Sequence, residues 1–280
     1  MKNTFMGIQD SYKDSDIAIL SIPYENKLSY RTGTKKGPDE ILKASLELEH
    51  FSLFFNENIC DKIKIHTFEP LKVKNKDYLE MITLVEKQVS KIKKDGKKFA
   101  ILGGEHSISI GVFEAILKDD RDISVLHLDA HADLKEEYLN SKYSHGCVIK
   151  RLLEKSRNFV SVGIRDYAKE EYEIIKDRKL SVYGTEFNQN EIIRKLEKKV
   201  YITLDMDVFD PSIVPGVGTP QPEGLNFKQV IDLINAVGKT KEIIGFDMVE
   251  LSPITNNPAS EFLASKLLYN MIGSCFFERF

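Results

Sequence analysis

Short apolar runs alternate with helix-periodic stretches along the whole chain. Ile17 to Ile22 reads as a compact apolar strand. Residues 23–37 form a loop marked by Pro23, Gly33 and Gly37. Pro38 then opens a helix with Asp39 and Glu40 in its first turn, where the helix dipole favours negative charge. Leu42, Leu46 and Leu48 mark its buried side. Lys62 to Phe68 is a second strand. Asp77 to Lys94 is predicted helical because Leu79, Ile82, Val85, Val89 and Ile92 recur every three or four residues, and Gly96 ends it. Strands follow at Lys98 to Leu102 and Ile123 to Leu128, with a helix between them, and a further helix comes after His145. Phe159 to Ile164, Leu180 to Tyr183, Val200 to Asp205 and Glu242 to Val249 are the later strands. They are interleaved with helices near Ala168 to Asp177, Gln189 to Lys195, Asn226 to Val237 and Ala259 to Ile272.

Strands fed by helices imply an α/β fold with a mainly parallel sheet. Periodicity does not separate an open three-layer sandwich from an eight-stranded barrel. Both place their sites at the carboxyl ends of strands, and two acidic strings sit there. Asp129-Ala130-His131-Ala132-Asp133 follows one apolar run, and Asp205-Met206-Asp207 ends another. Alternate side chains of an extended segment point the same way, so each string aims its acids at one spot. Gathered carboxylates repel unless a cation or a shared proton compensates. Four Asp and a His gathered this way suggest a pair of divalent metal ions.

Composition narrows the class. The 280 residues show no linker, repeat or low-complexity tract, which suits one α/β domain over 1–280. Lys-rich stretches such as Lys91 to Lys98 read as solvated helix ends. A net charge of −3 argues against a nucleic-acid partner. Cys60, Cys147 and Cys275 form neither a disulfide framework nor a zinc pattern, which fits a reducing compartment. The polar N-terminus has no signal-peptide core, and no apolar run is long enough to cross a membrane. The expectation is a soluble cytoplasmic protein.

Of the six histidines, His50 and His66 read as structural, and His127 as packing or support behind Asp129. His106 follows Gly103-Gly104-Glu105 at a strand end and, like His131, reads better as a ligand. Capping explains one Asp after a strand but not Asp129, Asp133, Asp205 and Asp207 together. Asp210-Pro211 is a turn. The segment Val214 to Pro220 lacks the third Gly of a dinucleotide loop and the Lys-Ser/Thr of a P-loop, so it reads as a rigid pocket wall.

These motifs resemble the ureohydrolases, the arginase–agmatinase family, and most of all its agmatinase branch. The matching stretches are GGEHS (103–107), DAHAD (129–133), SHG (144–146), DMDVFDPSIVPGVGTP (205–220) and MVELSP (248–253). The likeness runs from SYRTGTKKGP (29–38) to the C-terminal helix. Glu105 departs from the Asp more usual in the family. The resemblance implies a three-layer α/β/α sandwich with an eight-stranded parallel sheet and a two-manganese site. By it, His106 and Asp133 hold one ion, His131 and Asp207 the other, and Asp129 and Asp205 bridge them. It also implies trimers or hexamers and a role in polyamine biosynthesis. An oxygen-rich set with two imidazoles and no sulfur suits Mn²⁺ better than structural zinc.

Charge then points to the substrate class. Four ligand carboxylates offset two divalent ions, and an added hydroxide with Glu250 leaves the site negative, which favours a guanidinium. His145, placed by its SHG context, supplies or relays the proton to the leaving amine; with Glu250 and Asp133 it completes the implied catalytic group. The reading is agmatine hydrolysis to putrescine and urea. N1-aminopropylagmatine, guanidinobutyrate or arginine is the alternative substrate, and a non-catalytic guanidine- or polyamine-binding protein the alternative of another class. Glu136 and Glu137, in the loop between Asp133 and His145, are expected to form an acidic rim that attracts a second positive charge and disfavours arginine.

Overall fold

The computed structural model describes residues 3–27, 29–118, 120 and 122–277. Its strands are β1 (Ile17–Ile22), β2 (Ile65–Thr67), β3 (Lys98–Gly103), β4 (Ile123–Leu128), β5 (Phe159–Val162), β6 (Val182–Tyr183), β7 (Lys199–Asp205) and β8 (Glu242–Val249). Its helices are α1 (Gly37–Ser45), α2 (Tyr78–Lys94), α3 (Ile108–Leu117), α4 (Val148–Leu153), α5 (Lys169–Arg178), α6 (Gln189–Lys195), α7 (Phe227–Thr240) and α8 (Ala259–Phe276). The strands form one sheet in the order β2-β1-β3-β8-β7-β4-β5-β6. Every pairing is parallel, and the sheet is open, so the barrel alternative falls.

The central strands carry apolar residues on both faces, as a sheet covered on both sides requires. Ile17, Ile19, Leu102, Leu126, Ile202 and Phe246 pack with the buried faces of α1, α7 and α8. Ala18, Leu20, Ile101, Val125 and Tyr201 pack with α2, α3 and α4 on the other side. These are the three layers. Sequence periodicity misplaces two residues. Leu79 and Leu46 are exposed, and α2 instead buries Tyr78 and Met81 beside Ile82, Val85, Val89 and Ile92. The second strand is also shorter than its apolar pattern suggests, and Asp77 caps α2 by accepting the Glu80 N–H.

Topology positions the site. The chain leaves β3 and returns at β4, three places away, and β8 and β7 fill the interval. Such a reversal opens a crevice at the carboxyl edge of the sheet. In register, Leu102, Met248, Leu204 and Leu128 form one row across β3, β8, β7 and β4. The next residue on β7 is Asp205, and the one after β4 is Asp129. One residue back along each strand, on the opposite face to the leucine row, Asp247, Thr203 and His127 form a polar row. No helix among the described residues is long and apolar enough to cross a membrane.

Candidate active site

Four adjacent strand ends supply the acidic and imidazole groups. His106 follows β3, Asp129, His131 and Asp133 follow β4, Asp205 and Asp207 close β7, and Glu250 follows β8. Two of these acids have backbone in the left-handed region, Asp133 at φ +52° and Glu250 at φ +64°. That costs about 1–3 kcal/mol each for a non-glycine residue and persists only where the surroundings fix it. Glu250 is fixed by its N–H donating to Gly104 O at 2.7 Å. Gly104 itself must be glycine, because a Cβ there would lie 2.1 Å from Tyr24 O.

His106 Nδ1 lies 3.2 Å from Asp129 Oδ2, 3.3 Å from Asp133 Oδ2 and 3.4 Å from Asp205 Oδ2. Among the described residues it has no partner of hydrogen-bond geometry. Three acid oxygens thus surround one imidazole nitrogen. A second node lies beside it, with His131 Nδ1 2.9 Å from Asp207 Oδ2 and 3.5 Å from Asp129 Oδ1. Asp129 belongs to both groups of metal-competent side chains, one oxygen turned to each. Oxygen and imidazole donors in two nodes that share a carboxylate fit a pair of hard or borderline divalent cations.

The backbone and the polar row hold these groups. Asp129 Oδ1 accepts the His131 N–H at 2.6 Å, Asp205 Oδ1 the Asp207 N–H at 2.8 Å, and Asp207 Oδ1 the Ala130 N–H at 3.1 Å. His106 Nε2 lies 2.9 Å from Thr203 Oγ1, which donates to Asp247 Oδ1 at 2.7 Å. Tyr201 and Ser109 hydroxyls donate to Asp247 Oδ2. With its own proton on Asp247, Thr203 accepts from His106, so the proton of the neutral imidazole sits on Nε2 and the Nδ1 lone pair faces the acids. His127 Nε2 lies 2.9 Å from Asp129 Oδ2, and Ser161 Oγ engages the other ring nitrogen at 3.0 Å. His127 supports Asp129, and its proximity also counts it in the first node.

Without cations the acids and imidazoles share protons. Desolvation would lower the His131 pKa, but Asp207 and Asp129 raise it to about 12. Desolvation likewise opposes His106, yet Asp129, Asp133 and Asp205 carry it well above the ordinary imidazole value. Burial, then the charges of Asp207 and Asp129, push Asp205 well up. Burial, then Glu105, does the same to Glu250, whose Oε1 accepts the His106 N–H at 2.7 Å. Burial would also raise Asp129, but His127 and the two other imidazoles hold it well below the usual carboxylate range.

A cleft of about 200 Å³ opens over this centre and is lined by His106, His131, Asp133, Asp205, Asp207 and Glu250. Ser29, Lys135, Tyr138, His145, Asp166 and Thr219 line it too. All eight residues singled out in the sequence therefore meet at the crevice, although Asp129 lies beneath its floor. Burial, then the charges at His106 and His131, push the His145 pKa down to about 4, so its resting imidazole is neutral. The expected acidic rim is corrected. Glu136 is turned away into ion pairs with Lys150 at 2.8 Å and Arg151 at 3.2 Å, and neither it nor Glu137 lines the cleft. Asp166 does line the cleft, and it accepts from Gln221 Nε2 at 2.5 Å. Asp210 behaves as a turn residue, with Oδ1 accepting the Ser212 N–H and Oδ2 the Gly224 N–H. Gly218 and Thr219 do form part of the wall.

Arg165 escaped the sequence reading. Its guanidinium donates to the carbonyls of Asp207, Gln221 and Pro222 at 2.8 Å each, and to those of Gly163, Val208 and Phe209 at 3.1–3.4 Å. One side chain thereby pins both ends of the wall segment to the strand edge. No local motif marks it.

An open, all-parallel α/β sheet with paired His/carboxylate nodes at its reversal point is suited to a binuclear metal centre. The family model of the arginase family matches residues 15–273, and the chain belongs to that family. It is a ureohydrolase, acting on amidino C–N bonds, with the arginase-like fold. It is 37% identical over 268 residues to an N(1)-aminopropylagmatine ureohydrolase of Thermus thermophilus, covering 94% of this chain and 91% of that one. It is 31% identical over 275 residues to an agmatinase of Bacillus anthracis, covering 96% and 94%. The crystal structure of an agmatine ureohydrolase of Thermoplasma volcanium superposes with a TM-score of 0.87 at 32% identity, covering 98% of this chain and 94% of that one.

Proposed function

We propose that the protein hydrolyses agmatine to putrescine and urea with two Mn²⁺ ions. The observation that carries this is Asp129, whose two oxygens face two separate imidazole nodes. His106 and Asp133 would hold one ion, His131 and Asp207 the other, with Asp129 and Asp205 between them. Bound ions would offset the carboxylate charges and make a water in the site acidic enough to attack near neutral pH.

The chain's own residues do the rest. Glu250 is buried at the cleft and tied to the His106 backbone; with bound cations offsetting the burial and neighbouring charge that raise its pKa, it would present negative charge to the guanidinium and orient it. His145 holds and delivers the proton that the leaving amine needs, and Asp133 supports the reacting centre from the His106 node. The reading carries with it a cytoplasmic, trimeric or hexameric enzyme of polyamine biosynthesis, its one domain spanning 1–280. A second substrate is supported by the relatives themselves, one of which is named for N(1)-aminopropylagmatine. Asp166 in the cleft lining suits an additional ammonium group. Urea release from agmatine, N1-aminopropylagmatine, guanidinobutyrate and arginine tests the assignment. One of the two amines is expected to give the highest kcat/KM; a higher value for arginine or guanidinobutyrate overturns it.

A further inference from the structure

The His145 ring nitrogen that has a partner meets a single hydroxyl. His145 Nδ1 is buried and has no hydrogen-bond partner among the described residues. Its Nε2 lies 2.8 Å from Ser29 Oγ. Tyr138 Oη donates to the same oxygen at 3.0 Å, and the Tyr138 and His145 rings meet edge to face, 5.4 Å apart at 88°. Lys135 Nζ stands over the Tyr138 ring at 4.1 Å. All four residues line the cleft.

Two loops build this contact. Ser29 lies in the segment after β1, which Glu105 anchors by accepting the Asn26 N–H at 2.7 Å, and which Glu25 anchors by accepting the Gly33 N–H at 2.6 Å. Tyr138 lies in a tight turn after β4, where its N–H and carbonyl pair with Ser141. A hydroxyl holds one proton and two acceptor sites. While Ser29 accepts from Tyr138, its own proton is free to turn to His145 Nε2 or to the cleft.

We propose that Ser29 is the group through which His145 exchanges protons with the cleft, and that Tyr138 forms the outer end of this relay. The proposal rests on His145 being the proton donor to the leaving amine. Neutral His145 is loaded when Nε2 takes the Ser29 proton, Ser29 takes the Tyr138 phenol proton, and the phenol is restored from water. On turnover the C–N bond to the leaving amine breaks and its electron pair stays on nitrogen. That nitrogen takes the Ser29 hydroxyl proton as Ser29 Oγ takes one from the imidazolium Nε2. One proton enters from solvent and one leaves on the amine, and Ser29, Tyr138 and His145 end as they began. Ser29 is exposed, so its hydroxyl contributes little to folding, and its placement on both partners needs another explanation.

The test is steady-state urea release by the Mn²⁺-loaded protein with agmatine across pH 6–10. Ser29→Ala is expected to lower kcat about 100-fold, the lower end of the range of general acid–base catalysis, with KM changed by less than about threefold. Ser29→Thr, which keeps a hydroxyl, recovers most of the loss, and Tyr138→Phe falls between. Added imidazole buffer speeds Ser29→Ala in proportion to its acid form. A wild-type kcat in Ser29→Ala alongside a slow His145→Ala overturns the relay, as does a Ser29→Thr variant no faster than Ser29→Ala. A wild-type rate in His145→Ala overturns the reading of His145 itself, and the relay with it.

Discussion

Thr203 holds His106 by the nitrogen that points away from the acids, Oγ1 to Nε2 at 2.9 Å. Because Thr203 gives its own proton to Asp247, it acts on His106 as an acceptor only, which turns the Nδ1 lone pair toward Asp129, Asp133 and Asp205. A partner of this kind sets the tautomer and ring orientation of a ligating imidazole. Thr203→Val keeps the shape and removes the bond. Mn²⁺ affinity is expected to fall about 10–100-fold, with kcat largely recovered at saturating metal. Metal titration followed by urea release separates this from a direct loss of chemistry, which excess metal would not restore.

Arg165 is the strongest structural prediction away from the metal ligands. Its removal leaves the carbonyls of Asp207, Gln221 and Pro222 without their guanidinium donor. Arg165→Met is expected to lower unfolding free energy by about 2–3 kcal/mol, the scale of losing charge-assisted hydrogen bonds, and to loosen Asp207. Urea denaturation of the metal-free protein measures the first effect free of linkage to bound ions.

The metal-free centre binds protons that cations must displace. His131 is raised to about 12, so its ion pairing stabilises the metal-free fold fully below the ordinary imidazole value and is lost as pH rises toward 12. Ligand imidazoles must be deprotonated to bind metal. Mn²⁺ uptake near neutral pH is therefore expected to release protons, and apparent affinity to fall as pH drops from 8 to 6. Calorimetry in buffers of different ionisation enthalpy counts the protons; buffer-independent heats contradict the account.

The strand ends were legible because their acids follow apolar runs at alternate positions, and these runs do form the adjacent β7 and β4. The strand order was not legible from periodicity, since nothing local records that β8 and β7 fill the interval between β3 and β4. Thr203 could have been found, being two residues before Asp205 on the same face. Tyr138 and Arg165 act through contacts distant in sequence and leave no local pattern, and nothing in the stretch SYRTGTKKGP (29–38) tells that its Ser29 meets His145. Glu136 misled because a charged pair in a loop near the site says nothing of direction, and Lys150 and Arg151 on α4 draw it outward.

That correction has its own consequence for specificity. Glu136 is held near a pKa of about 2, first by Lys150 and then by Arg151, and it stays charged and paired throughout the working pH range. Glu136→Gln/Glu137→Gln is expected to leave the agmatine-to-arginine ratio of kcat/KM within about twofold of wild type, as for surface changes away from a site. A collapse of that ratio would return these residues to the pocket rim.

The most direct measurement is urea release from agmatine as Mn²⁺ is returned to thoroughly stripped protein, with bound metal counted on the same samples. The account predicts no activity in the stripped protein, full activity at two ions per chain, and neither full loading nor activity in Asp205→Asn. Full urea release by the stripped protein, or saturation of activity with metal bound elsewhere in Asp205→Asn, would contradict it.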